Sequence, residues 1–122
     1  MPDFEVVRML DLLKTFRADV MLIEEERSAA LFKQASKHLQ DIYNFHLTAK
    51  NSFTEVEYEL KSLYTSFNYG AVIINDALKK KKLDAENGVM LEECLETMLT
   101  CCDVIKAKLT QKPKPAAKKT KK

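Results

Sequence analysis

VVRMLDLLKTFRADVMLIEEERSAA, residues 6–30, is the stretch whose reading decides the fold. Val6, Met9, Leu13, Phe16, Val20 and Ile23 recur at alternating steps of three and four. That spacing holds them on one side of an α-helix, as the a/d stripe of helices that pack along their length. A half-buried strand would alternate every second residue, and no such alternation runs through the stretch. Asp3 precedes the run as a candidate N-cap, and Arg27 and Ala30 prolong the same spacing.

Beyond Ile23 the apolar stripe changes phase. Leu31, Ala35, His38, Ile42, Phe45 and Ala49 continue it, entered from Ile23 by steps of four. One reading is a stutter within a single helix over about residues 3–49. The other is a turn at 24–28. Glu24, Glu25 and Glu26 favour continuity, because Glu forms helix well. Three carboxylates would also face the negative end of the dipole if the helix stopped there. A continuous helix would be on the order of 70 Å long, more than the rest of the chain can cover. Its N-terminal stripe must therefore fold back into a bundle or pair with another chain.

Working outward, the clearest punctuation is Asn51-Ser52-Phe53-Thr54-Glu55. Ser52 followed by Glu55 has the capping-box pattern, which starts a second helix at Phe53 and carries it to about residue 82. Phe53, Val56, Leu60, Leu63, Phe67, Gly70, Ile74 and Ala77 form its stripe. Gly70 on that stripe implies a local kink or a close helix approach. Lys79–Lys82 closes the helix, cations complementing its C-terminal dipole. Asp84 caps a third helix over about 85–110, with Asn87-Gly88 as the turn or a weak first turn. Its apolar face runs from Leu91 through Cys94, Leu95, Met98, Cys101, Cys102 and Ile105 to Leu109.

With only two Gly and three Pro in 122 residues, an all-β fold lacks its turn residues. The expectation is all-α. It consists of three long antiparallel helices, or four if the first breaks near 24–28, packed as a coiled coil or helical bundle over residues 1–111.

Charge divides the chain. Lys112, Lys114, Lys118, Lys119, Lys121 and Lys122 sit in the last eleven residues without an acid. Residues 1–111 are left with fourteen cations against eighteen carboxylates. Pro113 and Pro115 stop the third helix, and 112–122 is too polar to bury anything, so a disordered tail is expected. Lys-Pro-Lys-Pro-Ala-Ala-Lys-Lys-Thr-Lys-Lys resembles the tails of linker-histone-like proteins and of granule-binding phasins. The resemblance implies salt-sensitive contact with phosphates or an anionic surface.

Chemistry-bearing patterns are few. His38 and His46 are eight apart, not the four that puts two ligands on one metal. Cys94, Cys101 and Cys102 show no Cys-x-x-Cys, and an odd count is a poor disulfide framework. Small buried thiols in a reducing intracellular compartment are expected. No Gly-rich phosphate loop, triad spacing, signal peptide or 18-residue apolar span occurs in the sequence. Tyr43, Tyr58, Tyr64 and Tyr69 lie among Glu55, Glu57 and Glu59, which would repel a nucleic acid, so they suit packing better than base stacking.

The sequence therefore implies a non-enzymatic helical assembly protein without metal or cofactor: a structural subunit, adaptor or small chaperone. Val6, Met9, Leu13, Phe16, Val20 and Ile23 form the seam expected to meet a partner helix or a second copy. The alternative is an architectural nucleic-acid-associated protein whose six tail lysines hold phosphates. A thiol enzyme at Cys101 or Cys102 is a third.

Overall fold

A computed structural model describes residues 4–26, 28–80 and 85–110. Among them are four α-helices and one 3₁₀ segment: α1 Phe4–Glu25, α2 Ala29–Thr48, the 3₁₀ segment Lys50–Val56, α3 Glu57–Lys80 and α4 Ala85–Thr110. No strand occurs among the described residues. The tail lysines 112, 114, 118, 119, 121 and 122, and the expected cap Asp84, lie outside them.

The first helix is broken, not continuous. Glu26 N–H still bonds to Leu22 C=O at 2.9 Å, completing the last turn of α1. Ser28 then adopts an extended conformation (φ −93°, ψ 131°), and its Oγ accepts from Leu31 N–H at 3.4 Å as the N-cap of α2. The acidic run at the end of α1 costs about 0.3–1 kcal/mol per charge against the dipole. Folding back buries Met9, Leu13, Phe16, Val20 and Ile23 to 3% exposure or less, at about 1.5–3 kcal/mol per side chain. Burial outweighs both dipole and propensity.

The stripe of α2 is correspondingly re-phased. Phe32, Ala35, Leu39, Ile42 and His46 are buried, again at steps of three and four, while Leu31, His38 and Phe45 lie at its margin. There is no stutter, because the nine-residue interval from Ile23 to Phe32 spans a turn. The capping-box reading of Ser52 is also corrected. Residues 50–56 are 3₁₀, and Ser52 Oγ donates to Glu5 Oε1 on α1. A tertiary carboxylate has taken the hydroxyl that a cap would use.

Side-chain pairings fix the topology. Asp19 of α1 meets Gln34 and His38 of α2. Glu59 of α3 meets Lys108 of α4, and Gly70 lies against Leu91. Between α3 and α4, and between α2 and α3 where Phe32 meets Phe67 and Tyr43 meets Tyr64, rising numbers meet falling ones, and α2 folds back on α1 beyond Glu26, so neighbours run antiparallel. α1 also packs on α4, which closes a ring of four. The stripes of α3 and α4 are as the sequence implies: Phe53, Val56, Leu60, Leu63 and Phe67 face Leu91, Leu95, Met98, Cys102 and Ile105 in one core. Asn87 and Gly88 lie inside the first turns of α4.

Candidate interaction groove

The four seams of the ring are not equally tight. On one side of α3 the backbone runs close to that of α4, while Gly70 faces the core between the two neighbours: a Cβ built there would lie 3.4 Å from Leu91 Cδ1 of α4 and 3.5 Å from the Phe32 ring of α2. On the other side large rings bridge to α2. Phe32 and Phe67 have centroids 5.5 Å apart, and Tyr43 and Tyr64 5.3 Å. Phe67 also meets Phe16 of α1 edge-on at 5.9 Å. Rings of this size keep the two helix backbones apart. Close backbone approaches between α2 and α3 are accordingly few beside those of α3 with α4.

The gap is a groove of two adjoining hollows. One, of about 250 Å³, is lined by Leu39, Tyr43, Tyr64, Phe67 and Asn68 with Ser36. The other, of about 410 Å³, is lined by Phe32, Lys33, Ala71, Ile74 and Asn75, again with Ser36 and Phe67. These two shared residues lie between the hollows, which adjoin along the seam. The floor is apolar and aromatic, and the rim is Ser, Gln and Asn. Among the described residues Lys33 is the one charged side chain lining either hollow. Below the smaller hollow His46 Nδ1 lies 2.9 Å from Tyr64 Oη. Burial lowers the His46 pKa, and burial raises that of Tyr64. Both shifts favour the neutral forms, and the direction of their hydrogen bond follows the tautomer of His46.

A second hollow, about 520 Å³, lies between α1 and α4. Arg17 crosses it to Asp103, Nε to Oδ1 at 2.9 Å and Nη2 to Oδ2 at 3.3 Å, so its mouth is clasped by an ion pair within the chain. Lys14 and Lys106 stand beside Asp11 there, so no single charge sign prevails.

The residues singled out from sequence are placed as follows. Met9, Leu13, Phe16, Val20 and Ile23 are inside the chain's own core and Val6 is half-buried, so this seam is covered by α2 and α4. The two histidines exchange roles. His46 is buried, and His38, at a third side-chain exposure, pairs with the buried Asp19, which also accepts from Gln34 Nε2 at 2.8 Å. Cys94, Cys101 and Cys102 are free thiols. Burial raises all three pKa values, that of Cys102 to about 12, so none is poised as a thiolate. No group of three His, Cys, Asp or Glu able to hold a metal occurs among the described residues. No helix among them is long and apolar enough to cross a membrane. The groove itself escapes a reading of single stripes. Its signal is the excess of rings at 32, 43, 64 and 67, which only pairing of α2 with α3 brings together.

No family model matches the chain, and no curated protein or solved structure matches it either.

Proposed function

We propose that this chain is a non-enzymatic helical interaction protein and that the α2–α3 groove is its docking surface. The observation carrying this reading is an apolar, ring-floored channel, its polar rim carrying one lysine, on the α2–α3 seam. There close backbone approaches between neighbouring helices are fewest, and among the described residues no ion pair spans the opening as Arg17–Asp103 spans the α1–α4 hollow. Channels of this kind take one apolar face of an amphipathic helix, with anchors at three- and four-residue spacing. The raised thiol pKa values support a role without covalent catalysis.

The test is a photo-cross-linking residue placed at Ser36, on the groove, and separately at Lys14, on the clasped α1–α4 hollow. In cells that make the protein, position 36 should yield discrete protein adducts and position 14 should not. Equal yields from both positions, or none from position 36, would defeat the reading.

The second reading rests on the six lysines of 112–122. Here the chain is an architectural protein in which the tail neutralises phosphates, independently of sequence. Deleting 112–122 should then abolish duplex binding and its salt dependence in a gel-shift titration. Binding that survives the deletion removes this reading.

A further inference from the structure

We infer that the occupant of the α2–α3 groove is the outer face of α4 from a second copy of this chain. The inference rests on the docking role proposed for the groove and adds the partner.

Lys33 lines the larger hollow, and Lys37 follows one turn along the same edge of α2. On the opposite edge Lys79 lies one turn beyond Asn75, which lines the hollow from α3. All three lysines are exposed, and none has an ion-pair partner among the described residues. No carboxylate lines either hollow. Asp76, beside Asn75, is paired with Lys80, and Asp41 lies one turn beyond Lys37 toward the smaller hollow. The larger hollow is therefore apolar within and cationic at its edges, and it suits a helix that is apolar at its centre and acidic at its sides.

This chain carries such a helix. From Ala85 to Ile105, α4 contains Glu86, Glu92, Glu93, Glu96 and Asp103 and no Lys or Arg. Its outer face presents Val89 at 56% exposure and Met90 at 42%, flanked by exposed Glu86, Glu93 and Glu96. The steps from 86 through 89 and 90 to 93 and 96 keep them on one side of the helix, away from buried Leu91, Leu95 and Met98. Glu92, Glu93 and Glu96 likewise have no ion-pair partner among the described residues. Two exposed apolar side chains between unpaired acids face an apolar hollow between unpaired cations.

Position along the bundle agrees. Because neighbours are antiparallel, the start of α2, the end of α3 and the start of α4 share one end of the molecule. The cationic hollow and the acidic face therefore lie at the same height, and copies can meet side by side. Donor and acceptor are different patches, so the contact is heterologous. A second groove is a poor occupant, since Lys33 and Lys37 would then meet cations. The interface is small and charge-dependent, which places it among weak, salt-sensitive associations.

Sedimentation of the purified full chain tests this, with circular dichroism on every variant. The wild type should self-associate at low salt and dissociate as salt rises. Lys33→Glu with Lys37→Glu, and separately Glu93→Lys with Glu96→Lys, should each weaken self-association by about tenfold or more. An equimolar mixture of the two double variants should associate again, because reversed groove meets reversed helix. A wild type that stays monomeric up to about 1 mM overturns the proposal. Reversals without effect, or a mixture that fails to re-associate, overturn it as well. Should a variant lose helicity, the photo-cross-linker at Ser36 in otherwise unaltered purified protein decides: adducts should map to residues 86–97 of another copy, and adducts elsewhere refute α4 as the occupant. Cellular adducts from position 36 to a different protein, with none to α4, leave the groove a docking surface while removing the second copy from it.

Discussion

α3 has two flanks, and they are built differently. Toward α4 the aliphatic Leu91 packs against Gly70, which the Phe32 ring of α2 also reaches, and the helices close on one another. Toward α2 it offers Tyr64 and Phe67 to Phe32 and Tyr43, and the helices stand apart with hollows between the rings. Both flanks are apolar. Side-chain size, not hydrophobicity, separates a sealed seam from an open one, since an interior packs to fixed density only where the pieces interlock. A single helix can thus serve as core wall on one side and as the edge of a binding channel on the other.

The largest test of this contrast is Phe67→Ala. Phe67 touches the rings of both Phe16 and Phe32, so truncation should cost about 3–5 kcal/mol in urea unfolding. A loss below about 1 kcal/mol would mean that the open seam contributes little and that α2 is held by α1 alone. Next is Lys108→Ala on the closed flank. Glu59 Oε2 accepts from Lys108 Nζ at 2.9 Å, while Oε1 is buried without a partner. Removing the ammonium leaves the carboxylate with no cation and should cost about 1 kcal/mol, because Lys108 is itself 40% exposed. The cost should shrink with acid, because Lys108 is what lowers the Glu59 pKa and protonation removes the charge that needs it.

Gly70→Ala should act the other way. The new methyl group meets side-chain atoms at 3.4–3.5 Å, ordinary contact, in a helix interior where Gly is unfavourable. A gain of about 0.5–1 kcal/mol in thermal or urea unfolding is expected. A loss would show that α3 and α4 are already at their closest approach. The smallest effect is a slope. The folded pKa of His46 lies below its unfolded value, chiefly through burial. The stability tied to its neutral ring is complete above about pH 6.5 and falls as pH drops through that value toward the folded pKa. Replacing His46 with Gln should flatten stability against pH over that interval. An unchanged slope would place the acid sensitivity at other groups.

How far the fold was legible follows from the same contrast. The stripes of α1, α3 and α4 could be read because three- and four-residue spacing is local. The end of α1 could not, because Glu24–Glu26 are good helix formers and only the gain from folding back overrides them. A sign was present: Ser28 stands as a cap where the stripe slips from Ile23 to Phe32. Missing it also exchanged the two histidines, because phase decides which one faces inward. Ser52 was misread for a related reason. Its pattern with Glu55 is local, whereas its partner Glu5 is 47 residues away. The groove depends on which rings meet across two helices, information that no single helix contains. The fourteen-to-eighteen charge balance of residues 1–111 was readable at once; its sorting into a cationic channel and an acidic ridge required the bundle.

Cys102 gives the molecule a built-in gauge of breathing. At 3% exposure, and with its pKa pushed up to about 12 by burial, it is slow to alkylate from the closed state at neutral pH. Because Cys102 lines the α1–α4 hollow behind the Arg17–Asp103 pair, faster labelling reports widening of that hollow. Its modification rate, read beside that of the half-buried Cys94, therefore clocks the opening of one seam without any engineered probe.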